Sequence, residues 1–298
     1  MITYNEIGKN KRESIYLIFG FLIVISALGW IFAQVYENPF ILIGAVAFSF
    51  VSAFISYFFS DSITLTLSKA KEVSRQSAPE LFRLVENLTI SAGLPLPRIY
   101  IIEDSAPNAF ATGRDPKHAV VCVTTGILQK LEKTELEGVL AHELSHIGNY
   151  DIRVMTLVVV LVGTLTLMSD WFLRASFFGG KRSRDDKGLG QYLGLIGLIL
   201  ALLSPIIATL IKLAVSRKRE YLADASGALL TRYPEGLASA LEKLAKDTTP
   251  MRRANNTTAH LWIENPFENK KKTPFFAKLF MTHPPTEERI AALRGMKI

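Results

Sequence analysis

The chain has 298 residues, of which 49% are hydrophobic, and its mean hydropathy is positive. This composition is unusual for a soluble enzyme and typical of a protein with a few membrane-spanning helices. The net charge of +7 is spread along the chain rather than gathered into one array, which favours lipid headgroups over nucleic acid as the anionic partner. The single cysteine, Cys122, excludes an internal disulfide, and its apolar surroundings indicate a buried structural thiol rather than a nucleophile.

Two uncharged segments, 14–36 and 38–60, predict an N-terminal transmembrane hairpin over residues 1–60. About 20 apolar residues are enough to cross a bilayer. The first segment exceeds the roughly 7–15 apolar residues of a secretory signal, and a second follows at once, which favours an uncleaved hairpin over a removed signal peptide. Basic residues flank both ends of the hairpin and are absent from its turn. The hairpin ends, and the domain that follows, are therefore predicted on the cytoplasmic side of the cell membrane.

Residues 61–153 have the mixed polarity of a water-exposed domain. Apolar residues at helical spacing over 77–92 end at a Gly-Leu-Pro-Leu-Pro breaker, and three strand-like segments follow. These strand-like segments are 98–104, 108–113 and 118–124. We therefore predict a small antiparallel sheet beside helices. Thr134, with Glu137 three residues later, predicts that the next helix begins with a capping box.

This next helix carries the motif H-E-L-S-H, in which His142 and His146 flank Glu143. Residues four apart share one face of a helix, so both imidazoles can bind a single Zn²⁺ while Glu143 reaches a water on the open side of the metal. Zinc makes such a water more acidic and the glutamate accepts its proton, which is the chemistry of peptide hydrolysis. The alternative, two surface histidines in this register by chance, has an expected frequency of about half a percent per chain.

Two further apolar segments lie within residues 154–214. The first, 154–169, is short for a membrane span, whereas the second, 188–211, is long enough. The loop between them is basic and would lie outside the cell if both segments crossed fully, against the positive-inside tendency. Either this pair is partly embedded or the first hairpin dictates the orientation.

A hydrolytic zinc site needs a third protein ligand. His118 and His260 lie in polar surroundings, where we expect solvated side chains. Glu220 and Asp224 are better candidates because they stand one helical turn apart just after the fourth apolar segment. In that arrangement Glu220 binds zinc and Asp224 holds a ligand imidazole. Judged alone, the pair is typical of a solvated, charged helix face.

Two separated motifs, H-E-L-S-H at 142–146 and R-K-R-E-Y-L-A-D-A at 217–225, together resemble the HtpX family of membrane-bound zinc endopeptidases. The CAAX prenyl endopeptidases are similar more distantly. The HtpX resemblance covers essentially the whole chain, including "PNAFATGRDP" at 107–116 and "THPPTEERI" at 282–290. It implies a mainly α membrane protein, with transmembrane helices and a zincin-like α+β catalytic domain that binds one Zn²⁺ per subunit.

The resemblance also implies roles for individual residues. His142, His146 and Glu220 match the zinc ligands, Glu143 the catalytic glutamate, and Asp224 the acid that holds a ligand imidazole.

Three further assignments leave alternatives open. His283 matches a family histidine that would donate to the oxyanion of the tetrahedral intermediate; otherwise its Pro-Pro neighbours only begin a helix. Asp151 either orients an imidazole or caps the metal-binding helix. The segment Asn108, Ala109, Phe110 and Ala111 matches the family's substrate-binding edge strand, and otherwise is an ordinary hairpin strand.

Four regions are predicted. They are a transmembrane hairpin (1–60), a catalytic domain with the HExxH helix (61–153), two further membrane-associated helices (154–214) and the rest of the catalytic domain, which carries the third ligand (215–298).

The predicted function is that of a membrane-anchored zinc endopeptidase that cleaves membrane proteins or unfolded polypeptides, with a quality-control role implied by the resemblance alone. One alternative is a processing protease for lipidated C-termini. Another is a non-catalytic membrane scaffold with a structural metal, which would have no use for Glu143. Nothing in the sequence indicates an oligomeric state.

Overall fold

The computed structural model describes most of the chain, namely residues 2–35, 37–178, 206, 209, 210, 216–253, 257–264, 266 and 284–296. Within these residues it contains nine α-helices and one four-stranded sheet. Two predicted features lie outside the described residues. One is His283, and the other is the fourth apolar segment, of which only residues 206, 209 and 210 are described.

Three helices of the described part are long and apolar enough to cross a membrane. They are α1 (Ile2–Val35), α2 (Phe40–Leu67) and α6 (Asp151–Phe178). Helices α1 and α2 form the predicted hairpin, and α2 exposes large apolar side chains such as Phe50 and Phe54, as a lipid-facing helix does. The short third apolar segment is part of the 28-residue helix α6.

The sheet contains the three predicted strands and one more. The strands are β1 (Lys71–Glu72), β2 (Arg98–Ile102), β3 (Ala109–Gly113) and β4 (Ala119–Thr124), in the order β1-β2-β4-β3. The prediction of an all-antiparallel sheet is wrong for one pairing, because β2 and β4 are parallel. The reason is that β3 takes the edge position of the sheet. Strand β4 forms an antiparallel hairpin with β3 and then lies between β3 and β2, where it runs in the same direction as β2.

The other helices of the catalytic domain pack around α5. They are α3 (Pro79–Ala92), α4 (Thr125–Lys130), α5 (Lys133–Gly148), α7 (Arg217–Thr231), α8 (Pro234–Lys246) and α9 (Thr286–Arg294). Short 3₁₀ turns lie at Pro116–His118 and Ala259–Leu261. Val139, Leu140 and Ile147 of α5 are fully buried in the central apolar core. A helix surrounded in this way gives its side chains fixed positions.

The start of α5 differs from the prediction. The capping box is formed by Glu132 and Glu135 rather than by Thr134 and Glu137. Glu135 accepts a hydrogen bond from the Glu132 amide at 2.8 Å and also binds Ser239 and Lys243 of α8. These tertiary bonds favour a helix start at Glu132 rather than at Thr134, since both oxygens of the Glu135 carboxylate accept hydrogen bonds in this arrangement.

The end of α5 leads directly into the membrane helix α6. Asn149 caps α5, and Tyr150 adopts a left-handed conformation with φ of 63° before α6 begins at Asp151. Only two residues therefore separate the helix with the HExxH motif from a membrane-spanning helix. Cys122, on the central strand β4, is buried as predicted.

Candidate active site

Helices α5 and α7 bring the three predicted ligands together. His142 Nε2 and His146 Nε2 lie 3.1 Å apart. The Glu220 carboxylate lies 3.8 Å from His142 Nε2 and 3.6 Å from His146 Nε2. All three side chains are buried, and one donor atom from each lies within 4.8 Å of the others. The alternative interpretation, in which Glu220 belongs to a solvated helix face, is therefore wrong.

A glycine allows the two helices to approach so closely. Gly227 lies on α7, two helical turns after Glu220, and packs on the backbone of α5. A Cβ atom at Gly227 would lie 2.9 Å from the His142 amide nitrogen and 3.1 Å from the Ala141 carbonyl carbon. The absence of a side chain at this position thus sets the distance between Glu220 and the imidazoles.

Carboxylates face the outer nitrogens of both imidazoles. His142 Nδ1 lies 2.9 Å from Asp224 Oδ1, and His146 Nδ1 is hydrogen-bonded to Asp151 Oδ2 at 2.9 Å. A carboxylate at Nδ1 holds the proton on that nitrogen and leaves the Nε2 lone pair free to bind a metal. Asp151 is therefore placed to orient His146, although it is also the first residue of α6.

Arg289 of α9 holds Asp224 in turn. Its Nε and Nη2 donate to the two carboxylate oxygens of Asp224 at 2.9 and 2.7 Å, and its Nη1 lies 3.7 Å from Glu220 Oε2. Burial opposes ionisation of Asp224, but the charge and hydrogen bonds of Arg289 outweigh it and lower the pKa of Asp224 to about 2. Asp224 is therefore ionised at neutral pH.

The chemistry of the cluster suits a divalent cation. Two Nε2 lone pairs and a carboxylate converge within a buried space, where electron-rich atoms repel one another unless positive charge lies among them. Burial opposes charging of His146, yet the bond to Asp151 and the charge of Glu220 raise the pKa of His146 to about 9. The site thus attracts positive charge strongly, and two imidazoles with one carboxylate are a donor set that catalytic zinc uses.

Glu143 lies beside the ligands with its side chain also buried. Burial raises the pKa of Glu143 to about 7, and the charge of His146 and a hydrogen bond from the Ala111 amide oppose that rise. A carboxyl group whose pKa lies near neutrality is suited to accept and return a proton. The Ala111 contact also shows that β3 runs directly past this carboxylate.

The first two residues of the predicted substrate strand are hydrogen-bonded to residues 263 and 264 of the same chain. The Asn108 side-chain amide donates to the Glu264 carbonyl at 2.9 Å, and the Ile263 amide donates to the Ala109 carbonyl at 3.0 Å. The Phe110 ring packs against Trp262 of the same segment, with ring centroids 4.7 Å apart. Among the four residues, Ala111 is the one whose amide faces Glu143.

The remaining histidines differ in their surroundings. His118 is exposed, as predicted, and contacts Asp115. The prediction that His260 is solvated is wrong, because its ring is buried and its Nε2 lies 3.0 Å from the Met155 carbonyl. The reason is that the 3₁₀ turn Ala259–Leu261 packs against α6 and the sheet.

Several residues around the ligands were not predicted from the sequence. Arg289, Arg219, Asn149 and Asn10 are all buried and lie in the polar shell behind the imidazoles. Both arginines belong to charged runs that are typical of solvated helices. Nothing in the local sequence distinguishes these residues, since each acts through a partner distant in the chain.

Comparisons with known proteins agree with this architecture. The model of peptidase family M48 matches residues 75–297. A protease HtpX homologue of Tropheryma whipplei (strain Twist) is 48% identical over 99% of both chains. A protease HtpX homologue of Dictyoglomus turgidum is 47% identical over 98% of this chain and 94% of its own. The crystal structure of S. mikatae Ste24p is similar in fold, with a TM-score of 0.51 and 19% identity, covering 97% of this chain and 67% of that one.

The membrane-spanning helices, the small mixed sheet and the buried His-His-Glu cluster, together with these similarities, define a membrane-anchored metalloprotease. The chain belongs to peptidase family M48, and its resemblance to the HtpX proteases is confirmed.

Proposed function

We propose that this metalloprotease is a zinc endopeptidase in which His142, His146 and Glu220 bind one Zn²⁺ and Glu143 is the general base. The observation that carries the proposal is the convergence of both Nε2 atoms and the Glu220 carboxylate within 4.8 Å, beside the Glu143 carboxyl group, which interacts with His146 and Glu220 through its charge. A purely structural metal has no use for a proton acceptor next to its ligands.

When bound, zinc supplies a Lewis acid that acidifies a water molecule and polarises the scissile carbonyl. Glu143 accepts a proton and returns it to the leaving amine, a role that its pKa of about 7 supports. Asp224 and Asp151 keep the imidazoles in the tautomer that presents Nε2. His283, which lies outside the described residues, is proposed as a donor to the oxyanion.

The substrate is proposed to bind as an extended strand along the edge strand β3, in the segment Asn108, Ala109, Phe110 and Ala111. Support comes from the contact between the Ala111 amide and Glu143, whereas the outer edge of β3 at Asn108 and Ala109 is hydrogen-bonded to Glu264 and Ile263 of the same chain. Backbone pairing of this kind accepts many side chains, which suits unfolded polypeptides and damaged membrane proteins.

The site is proposed to act at the cytoplasmic face of the cell membrane in quality control of membrane proteins. The basic residues around the hairpin support this orientation, and the two-residue link from α5 to α6 supports a site close to the bilayer. The four-region division of the chain, with residues 1–60 and 154–214 in the membrane, is part of the same proposal.

The test is a Glu143→Gln variant of the full chain, purified in detergent and assayed on casein with and without a chelator. We expect this variant to retain one zinc by elemental analysis and to lose at least about 10³-fold in kcat, since the proton acceptor is gone. Chelator should abolish cleavage by the wild-type protein. Substantial casein cleavage by Glu143→Gln would exclude Glu143 as the base.

A further inference from the structure

Helix α1 extends well beyond what a bilayer requires. Its candidate membrane span, Glu6–Gln34, has 29 residues, about 44 Å at 1.5 Å per residue, whereas the hydrocarbon core is about 30 Å thick. The charged residues are concentrated in its first part. We call residues 6–14 the extension of α1, and this extension lies against the catalytic domain rather than in solvent.

Polar contacts join the extension to the helices that carry the ligands. Lys218 of α7 forms a 2.9 Å ion pair with Glu6, and Arg219 pairs with Glu13. Between these pairs Asn10 is fully buried. An asparagine without solvent contact must satisfy both its amide and its carbonyl within the protein.

Asn10 satisfies both groups in the shell of the metal site. Its Nδ2 donates to Asp151 Oδ1 at 2.6 Å and to the Asn149 carbonyl at 2.9 Å. Its Oδ1 accepts from Arg219 Nε at 3.1 Å. The same Arg219 Nε lies 3.3 Å from Asp151 Oδ1, so one membrane helix and one metal-binding helix hold a single carboxylate from two sides.

Asp151 transmits this arrangement to the metal site. Its Oδ1 binds Asn10, while its Oδ2 binds Nδ1 of His146. Asn10, together with Arg219, therefore fixes the orientation of the carboxylate and with it the orientation of the imidazole. Outer hydrogen bonds of this kind commonly change metal affinity by about 10–100-fold.

We propose that Asn10 is a positioning residue for the metal site, so that the first membrane helix completes the environment of His146. The inference rests on the proposed zinc site, but it concerns a residue about 130 positions away in the chain that contacts no ligand directly. It assigns the N-terminal hairpin a role in metal binding in addition to anchoring.

The first experiment measures the zinc dissociation constant of full-length protein in detergent by competition with a chelating dye. Asn10→Ala removes every contact of the side chain. Asn10→Asp keeps its size and its acceptor for Arg219 but cannot donate to Asp151. We expect both variants to bind zinc about 10–100-fold more weakly than the wild type, with casein cleavage largely restored by excess zinc.

Ser14→Ala is the matched control. Ser14 is buried on the same helix one turn later, and its hydroxyl donates to the backbone carbonyl of Asn10 within α1. This variant should bind zinc within about twofold of the wild type, because Asp151 keeps its partners. Wild-type zinc affinity in a folded Asn10→Asp protein would overturn the inference.

A second experiment uses the wild-type protein and needs no variant to fold. Coupling is reciprocal, so if α1 supports the metal site, the metal must stabilise the extension of α1. Removal of zinc by a chelator should speed amide hydrogen exchange at residues 7–14. Unchanged exchange there, with faster exchange at 142–148, would overturn the inference while leaving the zinc site intact. A wild-type protein that binds no zinc would instead overturn the proposed function.

Discussion

At the scale of single residues, the site is a chain of charged partners arranged behind the ligands. Arg289 binds Asp224, Asp224 faces His142, and all three side chains are buried. A buried carboxylate is tolerated because a buried cation neutralises it. Removal of one member therefore leaves a charge in an apolar environment rather than merely deleting a contact.

Arg289→Met should destabilise the protein by about 3 kcal/mol, since it leaves Asp224 ionised and without its cation. The measurement is chemical unfolding in detergent. Arg294→Met is the matched control, because Arg294 lies on the same helix and pairs with Glu235 and Glu242 at the exposed surface. It should cost less than about 1 kcal/mol. Equal losses for the two variants would show that burial of the Arg289 pair is unimportant.

The proposed ligands, and Asp224 and Asp151 behind them, could be predicted from the sequence, whereas Arg289 and Asn10 could not. The spacing of His142 and His146 follows from helical geometry, and a second motif indicates Glu220. Arg289 and Asn10 have no such signature, since a buried arginine and a solvated one look alike in a charged run. Their partners lie 65 and 141 positions away, and no local pattern encodes a contact over such a separation.

At the scale of secondary-structure elements, the packing of α7 on α5 decides the geometry of the proposed metal site. His142 and His146 belong to one helix and keep their spacing whatever surrounds them. Glu220 reaches them only because Gly227 lets the backbones approach. The proposed third ligand is thus positioned by helix packing rather than by sequence spacing.

Gly227→Ala should weaken zinc binding roughly tenfold, because the added methyl group would push α7 away from α5 by a few tenths of an ångström and displace Glu220. Zinc affinity is measured by chelator competition. Gly148→Ala serves as control: it lies at the end of α5, where a Cβ atom would meet only Leu94 side-chain carbons at 3.7 Å and beyond. A Gly227→Ala protein with wild-type zinc affinity would show that the helix spacing is not critical.

The elements differ in how well local sequence encodes them. Strands β2, β3 and β4 lie where apolar runs between turn residues predicted them. The two-residue strand β1 was not predicted, since Lys71 and Glu72 have no apolar pattern and pair with β2 only in the folded sheet. The parallel pairing of β2 with β4 likewise depends on the position of β3 at the edge, which is a property of the whole sheet.

At the scale of the whole molecule, aromatic and basic side chains surround the junction between the catalytic domain and the membrane helices. Lys11 lies over the Tyr150 ring at 4.6 Å, and Arg153 lies 5.7 Å from the Tyr57 ring. Arg114 lies 5.4 Å from the Phe58 ring. Such pairs are typical of the headgroup level of a membrane, and they lie beside the end of α5.

The proposed orientation can be tested with single-cysteine labelling, because the native Cys122 is buried and should not react. Asn38→Cys lies exposed in the turn between α1 and α2, and Gln76→Cys lies exposed in the loop after β1. In intact cells a membrane-impermeant maleimide should label the first variant only, and Gln76→Cys should react after permeabilisation. The reverse pattern would place the catalytic domain outside the cell.

The order of the site residues along the chain has a consequence for synthesis. His142 and His146 emerge from the ribosome long before Glu220, and Arg289 follows later still, with membrane helix α6 between the two groups. A nascent chain therefore carries a histidine pair without its carboxylate partner and without the arginine that secures Asp224. The proposed site is therefore complete only after α6 and the segments that follow it have been synthesised.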